Sequence, residues 1–211
     1  MIRAVISDFG GVLTTPLAGS LKAFADRSGL AMEELNQALA AIFARDGAHP
    51  LFELECGRMT EARFLQALEQ TLRAELGREV SFVDFAEALW AGLAPNEPMI
   101  ELMAALRAEG YRMALLTNNV REWEARWRAM APIDDIFELV VNSASVGMRK
   151  PDSEIYELTV QRLGVPAPSC LFVDDLEHNC AAARDAGMQA VLYRDPEQAT
   201  AEIRAALDAS A

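Results

Sequence analysis

The amino-acid sequence predicts an α/β fold: a Rossmann-like parallel sheet, with a bundle of helices inserted after the first strand. Short apolar runs alternate with helical patterns over the second half of the chain, which is typical of a parallel sheet covered by helices on both faces. A similar apolar run opens the chain. About a hundred residues without a strand signal separate this first run from the runs of the second half. That is far more than an ordinary crossover connection requires.

The first predicted strand lies within residues 2–7, a short apolar run with β-branched side chains. Asp8 follows it directly and therefore stands at the carboxyl end of a strand, where open α/β sheets place their ligands. Gly10 and Gly11 come next, and glycine allows the backbone to turn sharply and to bring its polar groups close to a ligand. Taken alone, this pattern fits an ordinary loop aspartate at a strand end, and it indicates a site only together with three later stretches that repeat it.

Residues 16–94 are predicted to form a helical insertion, because apolar side chains recur there at helical spacing. Each predicted helix shows this periodicity or a start or stop signal. The helices are expected before Gly29, at about residues 35–42, after Thr60 and at about residues 82–89. Their large apolar residues are predicted to form the core of a small bundle.

The remaining strands of the core follow the insertion, after a predicted hinge at residues 94–98. Each is a short apolar run bounded by turn residues and followed by a helical pattern. These runs lie at residues 113–116, 139–141, 170–173 and 190–192. We therefore expect two domains: an α/β core of residues 1–15 and 95–211, and an α-helical cap of residues 16–94.

Composition and charge limit the classes of function. The chain has 211 residues, of which 52% are hydrophobic, and a formal net charge of −13. This composition is sufficient for a packed core, whereas the acidic balance argues against a nucleic-acid partner, which requires a basic surface. No apolar run is long enough to span a bilayer, and the three cysteines show no CxxC or zinc-like spacing. We expect a soluble, cytoplasmic protein without a membrane partner, either a monomer or a homodimer.

Polar residues follow four of the predicted strands, and in a parallel sheet these four ends lie along one edge. They are Asp8 after the first strand, Thr117 and Asn118 after the second, Lys150 after the third, and Asp174 and Asp175 after the fourth. Each has an ordinary explanation when taken alone: the acidic pair could cap a helix, and Lys150 could be solvated. The preceding Arg149 is expected to be solvated or to form a structural ion pair. The order of all four together favours a catalytic site.

Three converging carboxylates would repel one another strongly and shift each other's pKa values, unless a cation offsets their charge. Mg²⁺ prefers oxygen ligands, so Asp8, Asp174 and Asp175 predict a magnesium site. The lysine of the third loop and the donors at Thr117 and Asn118 would then hold the outer oxygens of a phosphoryl group. The nucleophile would be the first aspartate, which would form an aspartyl-phosphate that water hydrolyses.

The four stretches resemble the motifs of the haloacid dehalogenase superfamily. The matching segments are Asp8-Phe9-Gly10-Gly11-Val12, Leu116-Thr117-Asn118, Lys150-Pro151-Asp152 and Phe172-Val173-Asp174-Asp175. They occur in the order of the superfamily, and the helical insertion is placed like its α-helical cap. The stretches from Gly147 to Tyr156 and from Leu171 to Asn179 also resemble the phosphatase-like branch, which includes sugar-phosphate phosphatases and the N-terminal phosphatase domain of soluble epoxide hydrolase.

The resemblance implies roles for the residues that contact the substrate. Asp8 would be the nucleophile, and Lys150 would neutralise both Asp8 and the transferring group. The phosphoryl oxygens of a small phosphorylated metabolite would be bound by Thr117, Asn118 and Gly11.

The resemblance also implies a ligand set for Mg²⁺. The metal would be bound by Asp8, by the backbone carbonyl of Gly10 and by the acidic pair. Asp175 would be the direct ligand, and Asp174 would lie in the second shell or bind through water. Sequence alone does not separate two adjacent carboxylates, so both stay candidates.

One position departs from the pattern of the superfamily. Its phosphatases usually carry a second aspartate two residues after the nucleophile as general acid and base, and that position is Gly10 here. General acid–base help is typically worth ~10²–10⁴-fold. Three interpretations stay open. The protein is a Mg²⁺-dependent phosphatase that uses another group, water or a good leaving group; a 2-haloacid dehalogenase that needs no metal; or a non-catalytic binding or regulatory module. The acidic pair beside Asp8 favours the first.

Overall fold

The structure, a computed structural model, describes residues 1–209, apart from the side chain of Leu76. Its five strands form one sheet in which every pair is parallel. They are β1 (Ala4–Ser7), β2 (Arg112–Thr117), β3 (Leu139–Asn142), β4 (Cys170–Asp174) and β5 (Gln189–Leu192). The strand order is β3-β2-β1-β4-β5. This confirms the predicted parallel sheet, with β1 at its centre.

Helices connect the strands in the described part of the chain, and one follows the last strand. They are α1 (Leu17–Arg27), α2 (Met32–Asp46), α3 (Pro50–Glu55), α4 (Glu61–Leu76), α5 (Phe85–Ala91), α6 (Glu97–Ala108), α7 (Glu124–Arg128), α8 (Ile133–Ile136), α9 (Ser143–Val146), α10 (Ser153–Leu163), α11 (Glu177–Asp185) and α12 (Pro196–Asp208). The helices α1 to α5 lie in the helical insertion, and the division into two domains stays a prediction. Within residues 1–209, no helix combines the length and the apolarity that crossing a bilayer requires.

The strands are mostly apolar between their ends because both faces of the sheet are covered. Side chains of successive residues point to opposite faces, so Val5 and Ile6 belong to different layers. Ile6 packs in a cluster with Tyr156 of α10 and Phe172 of β4. Val5 packs on the other side in a cluster with Met103 of α6. The sheet therefore forms the middle of three layers, as expected for a Rossmann-like core.

The chain enters and leaves the helical insertion through two segments that lie side by side. Thr14 and Pro95 form an antiparallel bridge. The backbone N–H of Thr15 donates a hydrogen bond of 2.9 Å to the carbonyl of Ala94. Residues 94–96 of the predicted hinge lie in this paired connection, whereas residues 97 and 98 already belong to the first turn of α6.

Candidate active site

Asp8 lies one residue beyond β1, and the sheet holds it beside β4. Its backbone N–H donates to the carbonyl of Val173 at 2.8 Å, so the ladder continues one step past Ser7. Neighbouring strands are about 4.8 Å apart, and the register therefore brings Asp8 next to Asp174, the last residue of β4. Asp8 is only 7% exposed and Asp174 is fully buried. The pairing of β1 with β4 therefore explains why these two carboxylates lie side by side.

Lys150 bridges the two carboxylates. Its Nζ donates to Oδ1 of Asp8 and to Oδ2 of Asp174, both at 2.6 Å. The lysine is 1% exposed, so it is not the solvated residue that a surface loop would suggest. Burial opposes its charge, but the Asp174 and Asp8 carboxylates raise the pKa of Lys150 above its usual range. The ammonium group therefore stays protonated between its two partners.

Asn118 positions the backbone of Lys150. Its Oδ1 accepts a hydrogen bond from the Lys150 N–H at 2.8 Å, and its Nδ2 donates to the Lys150 carbonyl at 2.9 Å. These bonds engage both ends of the amide group. The side chain of Asn118 therefore holds the segment around Lys150, here called the lysine loop. The contact of Asn118 with a phosphoryl group stays a prediction.

Asp174 is held by hydrogen bonds at both carboxylate oxygens. Besides Lys150, its partners are the backbone N–H of Leu176, at 2.9 Å, and Nδ2 of Asn179, at 3.0 and 3.1 Å. Sequence reasoning assigned no role to Asn179, which is buried in the first turn of α11. An amide residue at the start of the helix that follows an acidic pair is the signal that could have found it.

Asp175 lies against the loop that follows β1. Gly11 in that loop has a φ of 85°, and a Cβ there would lie 2.6 Å from the Cγ atom of Asp175. A side chain at Gly11 is therefore opposed both by the backbone conformation and by the carboxylate. In the described chain, no neighbouring residue donates a hydrogen bond to the Asp175 carboxylate. Burial, followed by the charge of Asp174, raises the pKa of Asp175.

The three carboxylates form a donor set that fits a divalent cation. One oxygen from each of Asp8, Asp174 and Asp175 lies within 4.8 Å of the others, and Mg²⁺ prefers such ligands. Burial raises the pKa of Asp8 to about 7, Lys150 opposes this effect, and the Asp174 and Asp175 charges add to it. A cation among the carboxylates would offset their repulsion, so the residues present are compatible with the predicted metal site.

A cavity of about 400 Å³ connects most of the predicted site residues. Those that line it are Asp8, Gly10, Thr117, Asn118, Lys150 and Asp175. Thr117 is buried at the end of β2. Asp174 and Gly11 do not line the cavity but contact Lys150 and Asp175, respectively. The structure thus places all the predicted site residues at one edge of the sheet.

An ion pair at the cavity wall joins the helical insertion to the lysine loop. Arg149 donates from Nε to Oε2 of Glu55 at 2.8 Å, and its guanidinium carbon lies 3.9 Å from the ring centroid of Phe52. Burial raises the pKa of Glu55, although Arg149 opposes this. Arg149 is expected from the sequence either to be solvated or to form a structural ion pair, and in the structure it forms the ion pair. Its partner lies 94 residues away, so no local sequence signal could have identified it.

Most of the chain matches a family of known proteins. A model described as "haloacid dehalogenase-like hydrolase" matches residues 2–187. Bifunctional epoxide hydrolase 2 of Rattus norvegicus is 27% identical over 214 residues, which cover 96% of this chain but only 38% of that protein. A phosphatase of Mycobacterium tuberculosis is 33% identical over 138 residues, which cover 62% of this chain and 60% of that one. The chain therefore spans less than two thirds of either relative.

The fold is also found among solved structures. A haloacid dehalogenase family enzyme from Bacteroides thetaiotaomicron, crystallised with magnesium and inorganic phosphate, has a TM-score of 0.67 with this chain at 23% identity. The match covers 92% of this chain and 95% of that one. At this level of identity the likeness concerns the fold.

Proposed function

Because the chain belongs to the haloacid dehalogenase-like hydrolase family, we propose that it is a Mg²⁺-dependent phosphatase for a small phosphorylated metabolite. One observation carries the proposal: Lys150 joins Asp8 and Asp174 at 2.6 Å each, and Asp175 completes a carboxylate cluster. The phosphatase among the relatives and the magnesium and phosphate in the related structure support it.

Asp8, Asp175 and the backbone carbonyl of Gly10 are the proposed direct ligands of Mg²⁺. Asp174 is proposed not to contact the metal directly but to hold Lys150, because both its oxygens already accept hydrogen bonds from neighbouring residues. When bound, Mg²⁺ would act as a Lewis acid on the phosphoryl oxygens.

Asp8 is the proposed nucleophile. A carboxylate oxygen bonds to phosphorus as the ester P–O bond breaks, and the leaving group departs with the electron pair of that bond. The ammonium group of Lys150 stabilises the charge of the transferring group. Thr117 and the backbone N–H of Asn118 are proposed to bind its outer oxygens, since the Asn118 side chain is engaged elsewhere. Water then hydrolyses the aspartyl-phosphate and restores the carboxylate.

Phosphate release from an activated aryl phosphate in the presence of Mg²⁺ tests this function. We expect EDTA and Asp8→Asn each to abolish the release, because the first removes the metal and the second the nucleophile. Asp208→Asn, which changes an exposed carboxylate of α12, is the matched control and is expected to have no effect. Retained activity in Asp8→Asn would show that the nucleophile is assigned incorrectly.

Gly10 supports a second candidate, 2-haloacid dehalogenation, because attack of Asp8 on carbon would need neither the metal nor the missing acid. Chloride release from 2-haloacids that persists in EDTA would favour it. The acidic cluster and a cavity of about 400 Å³, large for a two- or three-carbon acid, make it the weaker candidate.

We also propose a cytoplasmic location, because Cys56, Cys170 and Cys180 are buried free thiols and a reducing compartment preserves them. The oligomeric state, monomer or homodimer, is decided by gel filtration with light scattering.

A further inference from the structure

We propose that the substrate carries a long hydrocarbon tail, which lies inside the helical insertion while its phosphate group lies at Asp8. The inference rests on the proposed phosphatase function and names the chemical class of its substrate: a phosphate ester with an apolar chain.

The cavity has a polar end and an apolar end. At the polar end its lining includes Asp8, Asp175 and Lys150, together with the ion pair of Arg149 and Glu55. The helical insertion contributes the other end, and every described lining residue from residues 16–94 is apolar except Glu55. A ligand that fills both ends must therefore be amphiphilic, with an anionic head and an apolar body.

The apolar end is unsuited to a polar metabolite. Its walls include Phe24, Leu39, Leu68, Phe82 and Leu89, from four different helices and one connecting segment of the insertion. Such side chains offer no hydrogen bonds to the hydroxyl groups of a sugar, and burying unpaired hydroxyl groups is costly. A hydrocarbon chain meets the same walls without this cost.

The cavity is too large to be a packing defect. Interiors of proteins contain few voids larger than a water molecule. A volume of about 400 Å³ corresponds to roughly a dozen water volumes. A methylene group occupies about the same space as water, so the cavity has room for on the order of ten carbon atoms besides the head group.

The entrance is apolar as well. Leu17 at the start of α1 and Leu176 beside the acidic pair both line the cavity, and they are 41% and 45% exposed. Exposed leucines of this kind at a cavity mouth suit the entry of a hydrocarbon chain.

A series of 4-alkylphenyl phosphates tests the inference, because the leaving group stays constant while only the tail changes. From 4-methyl to 4-hexyl, below the micelle concentration, we expect kcat/KM to rise by up to about fourfold per methylene. Tails of ethylene glycol units of equal length are expected to give no rise. A flat alkyl series would overturn the inference and leave the phosphatase intact, whereas no release from any ester would overturn the proposed function itself.

Two variants of α2 locate the tail. Leu39→Trp fills the apolar end, and we expect it to lower the ratio of kcat/KM between the hexyl and methyl esters at least tenfold. Ala40→Trp, on the neighbouring exposed residue outside the cavity, should keep the ratio of the unchanged protein. Equal ratios in both variants would place the tail elsewhere.

Binding gives a readout that needs neither turnover nor a variant. In the unchanged protein with Mg²⁺, decylphosphonate should bind at least a hundredfold more tightly than ethylphosphonate and should change the fluorescence of Trp90 and Trp123, which line the cavity. Equal affinities would contradict the proposed tail site.

Discussion

Gly10 and Gly11 are adjacent, but the structure requires glycine at only one of them. A Cβ at Gly10 would meet no atom within 4 Å, and its φ is outside the left-handed region. At Gly11 the φ of 85° and the Asp175 carboxylate both oppose a side chain. Packing therefore does not impose glycine at position 10, and an acidic side chain can be introduced there experimentally.

Gly10→Asp is expected to raise turnover most on alkyl phosphates, by up to about 10²–10⁴-fold, because alkoxide leaving groups need a proton. Aryl phosphates, whose leaving groups are better, should change little. Steady-state kinetics on both ester classes measure the difference. Gly10→Asn, of similar size but without a carboxyl proton, is the control and should not rescue the alkyl esters. An equal gain on both classes would mean that more than a general acid is missing.

At the scale of elements, α3 and the turn after it connect the helical insertion to α9. The Ser143 hydroxyl donates to the Glu55 carbonyl at 2.6 Å. Gly57 follows with a φ of 65°, and a Cβ there would collide with the carbonyl of Ala144. The close approach of these two elements, next to the ion pair of Glu55 and Arg149, therefore requires glycine at position 57.

Gly57→Ala is expected to separate α3 from α9. The free energy of unfolding should fall by about 1–2 kcal/mol because alanine is strained in the left-handed conformation. The collision with the Ala144 carbonyl should lower it by a further ~1–3 kcal/mol. Gly47→Ala is the matched control, because its φ is 74° but its Cβ would meet nothing within 4 Å. Urea unfolding measures both losses, and KM for an aryl phosphate should rise only in the first variant. Equal losses in the two variants would show that the contact is not tight.

At the scale of the whole molecule, we expect the buried charges to couple the stability of the protein to pH and to the proposed binding of Mg²⁺. Burial raises the pKa of Asp8 from 3.8 to about 7, so the folded protein binds this proton more tightly than the unfolded chain does. The stabilising contribution is complete below about pH 4 and is lost as the pH rises through about 7. The proposed Mg²⁺ would compete with this proton, so we expect its affinity to increase over the same pH range.

We expect Mg²⁺ to raise the Tm of the protein more at pH 8 than at pH 6. Thermal unfolding with and without EDTA at the two pH values measures the difference. In Asp8→Asn, where this carboxyl is absent, the pH dependence should largely disappear. An equal Mg²⁺ effect at both pH values in the unchanged protein would contradict the coupling.

The sequence by itself determined the parallel sheet and most of the candidate site. Strands and long helices could be predicted because apolar periodicity is a local property. Asp8, Lys150 and the acidic pair could be assembled because parallel strands end along one edge of a sheet. The helices α3 and α9 were missed, since six and four residues are too few to show a period.

Only the tertiary structure decided how those residues are held and what space they face. The bonds of Asn118 to Lys150 span 32 residues, and the ion pair of Arg149 with Glu55 spans 94. The apolar cavity is formed where helices separated along the chain fail to fill the space between them. Such contacts and spaces depend on the packing of distant segments, and local patterns of hydrophobicity carry no information about them.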